Sequence, residues 1–190
     1  MAVLAQSAEI CYTEPERKCF PVRCDCHIHM VLDGADWKRA IARHSGGVDE
    51  AWVRRVLETY RKLGFAYLRD GGDRWGVCDL AAKLAPEYGI RYRSPGFPIY
   101  KTGHYGGFIG RGFDGLAEYR ALVREAKTRG AHFIKLMISG LMDFSQYGVL
   151  TGEPLPPDLI RDMIACAHDE GFSVTVSYTH LRAHETEADL

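Results

Sequence analysis

Phe65-Ala66-Tyr67-Leu68-Arg69, closed by Asp70-Gly71-Gly72, is a short, largely apolar run that stops at a loop, and its flanks decide the fold. A run of this length bounded by turn residues reads as a buried strand. Before it, Val48, Trp52, Val56, Tyr60 and Leu63 recur at spacings of four and three. That spacing predicts an amphipathic helix over 48–63, stopped by Gly64. After it, Leu80, Leu84 and Tyr88 stand four apart, predicting a second helix over 77–88 that Gly89 ends. A strand held between two amphipathic helices is the repeating unit of an α/β protein.

The same unit recurs in both directions. Residues 20–28 read as an earlier strand, 90–93 as a short one, 133–138 as a strand that is apolar except for Lys135, and 173–176 as a last one. Helices are predicted over 116–129, stopped by Gly130, and from Pro157, where a missing N–H is harmless, to a stop at Gly171. Between them lie two long loops, 94–115 with Pro95, Pro98 and many glycines, and 139–156. Long loops of this kind in compact domains are usually functional. Continuous apolar strands alternating with helices imply a parallel sheet covered on both faces. No GxGxxG follows the first strand and no Walker motif occurs, which weighs against nucleotide folds. The expected fold is α/β, a partial (β/α)8 TIM-type barrel of four to five units, with parallel strands inside and helices outside.

Composition narrows the function classes. The chain has 190 residues, 24 Lys+Arg against 25 Asp+Glu and a net charge of -1, with 46% hydrophobic residues. A balanced charge leaves no basic footprint for nucleic acid or an anionic membrane, and no apolar run reaches the length of a membrane span. The N-terminal stretch has no basic segment followed by an apolar one, so the expected setting is cytoplasmic. The six cysteines (Cys11, Cys19, Cys24, Cys26, Cys78 and Cys166) lack paired zinc-knuckle spacing and read as free thiols.

The chemistry concentrates at strand C-termini, the face on which barrel enzymes build their sites. In Asp25-Cys26-His27-Ile28-His29 the two histidines are i and i+2 on a strand, so both rings point to one face. Two neutral imidazoles form half of a divalent-metal site, with Asp25 placed to orient one of them; the plain alternative is two unrelated histidines near a strand end. Lys135 inside Phe133-Ile134-Lys135-Leu136-Met137-Ile138 must lose water, which favours the neutral amine. A neutral amine can take up carbon dioxide as a carbamate, whose oxygens can bridge two cations. A lysine that snorkels out or pairs with an acid is the alternative. Arg69 and Asp70, ending the second strand, either hold an anionic substrate group or lock a loop. His104, in the long loop after the third strand, either contacts substrate or is a surface histidine. Tyr100, Tyr105 and Phe108 are candidate pocket walls, and Asp143 and Tyr147 are candidates by position alone.

DCHIHMVLDG, FAYLRDGGD and AHFIKLMISG, in that order, resemble the amidohydrolase superfamily, most closely its imidazolonepropionase-like and prolidase-like branch. The resemblance covers about residues 20 to 176. It implies a metal-dependent hydrolase of amide-type C–N bonds in a cyclic amide, a dipeptide or a related small molecule. His27 and His29 match the family's metal pair, and Lys135 matches its carboxylated lysine, with one or two divalent ions, zinc foremost. The family's remaining groups, two histidines and a catalytic aspartate on later strands, fall beyond residue 176. The intact protein is expected to act on a small-molecule substrate, with a homo-oligomer as an open assembly state. Two departures stand out. Only about twenty residues precede the histidine pair, too few for the family's N-terminal β-sandwich segment. Ser177 also stands where a strand-five histidine belongs.

The stretch from Ser177 onward resembles a read-through peptide common to unrelated translated sequences. The expected organisation is therefore an extension over 1–19, an incomplete hydrolase barrel over 20–176 and a non-native tail over 177–190. As such the chain is expected to be catalytically incomplete. A PHP- or TatD-like phosphoesterase also begins with such a histidine pair, but gives no reason for Lys135. A non-catalytic barrel fragment is the reading of a different class.

Overall fold

The first helical stripe forms because Asp49 caps it. Its carboxylate accepts the Trp52 N–H at 2.9 Å, satisfying a donor that helix geometry leaves free. In the computed structural model, which describes residues 22–141, 143 and 145–177, this helix is α2, Glu50–Lys62. It lies between β1, Arg23–Ile28, and β2, Phe65–Asp70, and buries Val53 and Leu57. Before it, a short helix that the sequence reading did not anticipate, α1, Trp37–Ala42, is capped by Asp36. The remaining elements are α3, Val77–Leu84, a 3-10 turn at Ala85–Tyr88, β3, Arg91–Arg93, β4, Pro98–Lys101, β5, Arg111–Phe113, α4, Leu116–Thr128, β6, Ile134–Met137, α5, Pro157–Asp169, and β7, Val174–Ser177.

Every strand pairing is parallel. The hydrogen-bonded orders are β1-β2-β3 and β5-β4-β6-β7. The join is instructive. β3 pairs back to β2 while β4, four residues further on, pairs forward to β6, so β3 and β4 share the third barrel position as one broken strand. Pro95 has no N–H to give and Gly96 sits at φ +74°, so the ladder cannot run through 94–97. The freed groups are used. Ser94 O accepts His132 N at 2.8 Å, and Gly96 O accepts Asp73 N at 3.2 Å.

The expectation that 94–115 is structureless is corrected here, because β4 and β5 lie inside it. Its glycines serve close packing. A Cβ on Gly110 would stand 2.8 Å from the Pro98 carbonyl, and one on Gly112 would meet the Tyr100 ring at 3.1 Å. Two apolar clusters cover the sheet. One joins Ile28, Leu68 and Tyr92 to α2 and α3; the other joins Ile99, Ile134 and Leu136 to Tyr119 and Val123 of α4 and Met163 of α5. All four residues of β6 are buried, whereas β1 and β7 at the ends are mostly exposed or half-exposed.

Cys24, Cys26, Cys78 and Cys166 are free thiols. Among the described residues no helix is long and apolar enough to cross a membrane. Ser177 pairs with Met137 at the end of β7. The expectations for 1–19 and for the rest of the 177–190 tail lie outside the described residues.

Candidate functional site

β1 delivers both histidines to one place. Their ring centroids are 5.6 Å apart. His27 is still within the strand, and His29 follows where the chain turns away. Because Ile28 pairs with Asp70, the turn after β2 lies beside His29, and the Gly71 N–H closes onto the Ile28 carbonyl at 2.8 Å. The His29 ring rests on bare backbone, since a Cβ on Gly71 would come within 2.3 Å of Cε1. His29 Nδ1 lies 3.1 Å from the Gly72 carbonyl oxygen. A carbonyl only accepts, so Nδ1 carries the proton and the neutral ring keeps its lone pair on Nε2.

Lys135, 4% exposed, stands on β6 in register with Pro98 of β4 and Thr175 of β7. It lines a small cavity of about 40 Å³ with His27, Arg69, Phe133 and Thr175, room for roughly one water-sized group. Arg69 reaches across from β2, its guanidinium 4.5 Å over the Phe133 ring and donating to Thr175 Oγ1. His27 also lines an open groove of about 830 Å³ that holds His29, Trp52 and Tyr60. His27 therefore lines both the groove of His29 and the cavity of Lys135.

The electrostatics favour neutral nitrogen bases. Burial, then the Lys135 charge, holds His27 below 6.5. Burial does the same for His29, against a contribution from the Gly72 carbonyl that favours the charged ring. Burial and then the Arg69 charge lower Lys135 from 10.5. The Arg69 guanidinium is the charged group that acts on the Lys135 amine. No three His, Cys, Asp or Glu side chains among the described residues are placed to hold a metal ion. The donor set is two imidazoles with Lys135 alongside.

Other expected residues fall elsewhere. Asp25 does not orient a ring: it accepts the His27 backbone N–H at 3.2 Å and the Tyr60 hydroxyl at 3.3 Å. Asp70 is 1% exposed and fully engaged inside the protein, by Met30 N at 2.9 Å, Gly72 N at 2.6 Å and the Tyr92 hydroxyl. Three donors thus hold the Asp70 carboxylate in the fold, and the residue also lines the small cavity of Lys135. His104 lines a separate cleft with Thr151 and Glu153, its Nδ1 3.1 Å from the Glu153 carbonyl. Tyr105 and Phe108 pack on each other at 5.3 Å. Asp143 is bound to Ser145 in its own loop, and Tyr147 is 98% exposed. The sequence reading missed Gly71, Gly72 and Thr175 at the site. The glycine pair directly after a strand was the readable signal, because bare backbone admits a close neighbour.

No family model matches the chain, and no curated protein does. Solved structures do. An amidohydrolase aligns with TM-score 0.61 and 24% identity over 82% of this chain and 43% of its own. The fold is part of the (β/α)8 barrel of these structures. Ochratoxinase from A. niger gives TM-score 0.65 at 21% identity. A prolidase complexed with N-methylphosphonate-L-proline gives 0.57 at 24%. Each of these two matches covers 82% of this chain and 42% of the other. The chain thus spans less than half the length of the amidohydrolase-type structures it resembles.

Proposed function

We propose that this chain is the metal-binding half-barrel of a hydrolase acting on amide-type C–N bonds of a small molecule such as a cyclic amide or a dipeptide. The observation that carries the reading is that His27 lines both the groove of His29 and the cavity of the buried Lys135. His27 and His29 would hold a divalent ion, zinc foremost, through neutral ring nitrogens, and Lys135 would add a bridging group to a second ion. Bound there, such ions lower the pKa of water toward neutrality and polarise a carbonyl.

The chain's own residues prepare this. The Gly72 carbonyl fixes the His29 tautomer, so Nε2 is the free donor. Burial keeps the Lys135 amine available as a base. Its Nζ lone pair attacks the carbon of carbon dioxide, one C=O pair moves onto oxygen, and an N–H proton leaves to solvent, giving an anionic carbamate. Arg69, held by Phe133 and Thr175, supplies fixed positive charge beside that group and a donor for an anionic substrate group. His104, in its separate cleft, stays outside the site.

The test is zinc loading in 13C-labelled bicarbonate. A carbamate carbon signal is expected in the wild-type chain and absent from Lys135→Ala. The variant should also lose bound metal and recover part of it with a short carboxylic acid. Unchanged metal content in Lys135→Ala, or no carbamate signal in the metal-loaded wild type, contradicts the proposed role.

A further inference from the structure

The buried Asp70 carboxylate is used in a particular way. Oδ2 accepts the N–H of Met30, the residue after His29, at 2.9 Å. Oδ1 accepts the N–H of Gly72, whose carbonyl holds the His29 ring, at 2.6 Å. The Tyr92 hydroxyl from β3 donates to Oδ2 from behind. A carboxylate out of water is costly unless donors surround it. Here two of the three donors are the main-chain groups that bracket one imidazole. The end of β1 and the turn after β2 are thereby fixed against each other through a single side chain. The His29 ring is the group held between them, tied at Nδ1 and lying on Gly71.

We propose that Asp70 is the positioning residue for His29: by fixing Met30 and Gly72 together it sets the ring's tautomer and the direction of its Nε2. The inference rests on the metal-site reading for its consequence, and on the geometry alone for its cause. Asp70 touches neither substrate nor metal in this role. It acts through the backbone on either side of the histidine.

The experiment uses the full chain and three readouts: Co2+ titration, thermal unfolding, and 1H–15N correlation of the histidine rings without metal at a pH where both are neutral. The wild type should show His29 as the Nδ1–H tautomer. Asp70→Asn, which replaces one acceptor oxygen by a donor, should mix the tautomers and weaken Co2+ binding about 10- to 100-fold, the range for outer partners of metal-binding histidines. Tyr92→Phe removes a donor to Asp70 but leaves both backbone bonds. It should lower the unfolding temperature while keeping the tautomer and Co2+ binding near wild type. An unchanged tautomer and affinity in Asp70→Asn overturns the inference. So does a loss of affinity that simply follows stability in both variants.

A wild-type chain that takes up no Co2+ overturns the metal reading. Positioning is then decided by the tautomer, with a change in Asp70→Asn supporting it and none overturning it. Should Asp70→Asn not fold, the wild-type chain decides by hydrogen exchange: the Met30 and Gly72 amides must be as protected as the β2 ladder, and rapid exchange of either overturns the inference.

Discussion

His29 Nδ1 lies 3.1 Å from the carbonyl oxygen of Gly72, so a strand-end histidine takes its orientation from the backbone of the neighbouring strand's turn. Metal-binding histidines commonly give their second N–H to a carbonyl or carboxylate. Here the carbonyl comes from a glycine pair that can approach the ring because it has no side chain. The pairing of β1 with β2 therefore places more than two strands: it builds one wall of the site.

Gly71→Ala tests that wall. The backbone at Gly71 is not in the left-handed region, but a Cβ would stand 2.3 Å from His29 Cε1, so the ring must move. Metal affinity should fall at least about tenfold while far-UV circular dichroism stays that of the wild type. Wild-type affinity would show that the ring has another resting place.

Lys135→Met should make the chain more stable. A lysine amine that is 4% exposed, with no carboxylate beside it among the described residues, gives up on folding the hydration it has in the unfolded chain. A methionine fills nearly the same volume. Urea unfolding should show a gain of about 1–3 kcal/mol, alongside loss of the proposed bridging group. A less stable variant would mean that the amine is satisfied inside the fold.

Gly110→Ala probes the unexpected β4–β5 pairing. The new Cβ would sit 2.8 Å from the Pro98 carbonyl oxygen and 3.1 Å from that of Gly106, both backbone atoms that cannot swing aside. A loss of about 1–3 kcal/mol is expected, measured by chemical denaturation. A neutral effect would argue that β5 does not lie against β4 in solution.

His44 gives the chain an acid limb in its stability. The residue is 2% exposed, and its Nδ1 accepts the Asp49 N–H at 3.1 Å, so the folded ring is neutral. Burial holds its pKa below 6.5. As pH falls below 6.5 the unfolded chain binds the proton first, and stability drops. His44→Asn keeps an acceptor near the Nδ1 position and removes the titration. Its unfolding temperature should depend less on pH in that range; an identical slope would assign the acid limb to other groups.

Much of this was legible in the residues. The strands at Phe65 and Ile134 and the helices after Asp49 and Gly115 follow from apolar spacing and glycine stops, which act locally. The His27–His29 pair and Lys135 were readable because strand alternation and an isolated charge in an apolar run have direct physical meanings. β4 and β5 were not, because three- and four-residue strands show no period and their glycines look like loop residues when they are packing surfaces for Tyr100. The inward turn of Asp70 was hidden for a related reason: its partners Met30 and Tyr92 are 40 and 22 positions away and meet it only once the sheet forms.

His27 and His29 are proposed to hold a divalent ion together. The most direct measurement is the zinc content of the purified chain after equilibration with zinc and removal of the excess, compared with the His27→Ala/His29→Ala double variant of confirmed fold. About one or more zinc ions are expected per wild-type chain and close to none in the variant. Equal zinc content in the two proteins, or none in either, would contradict the proposal.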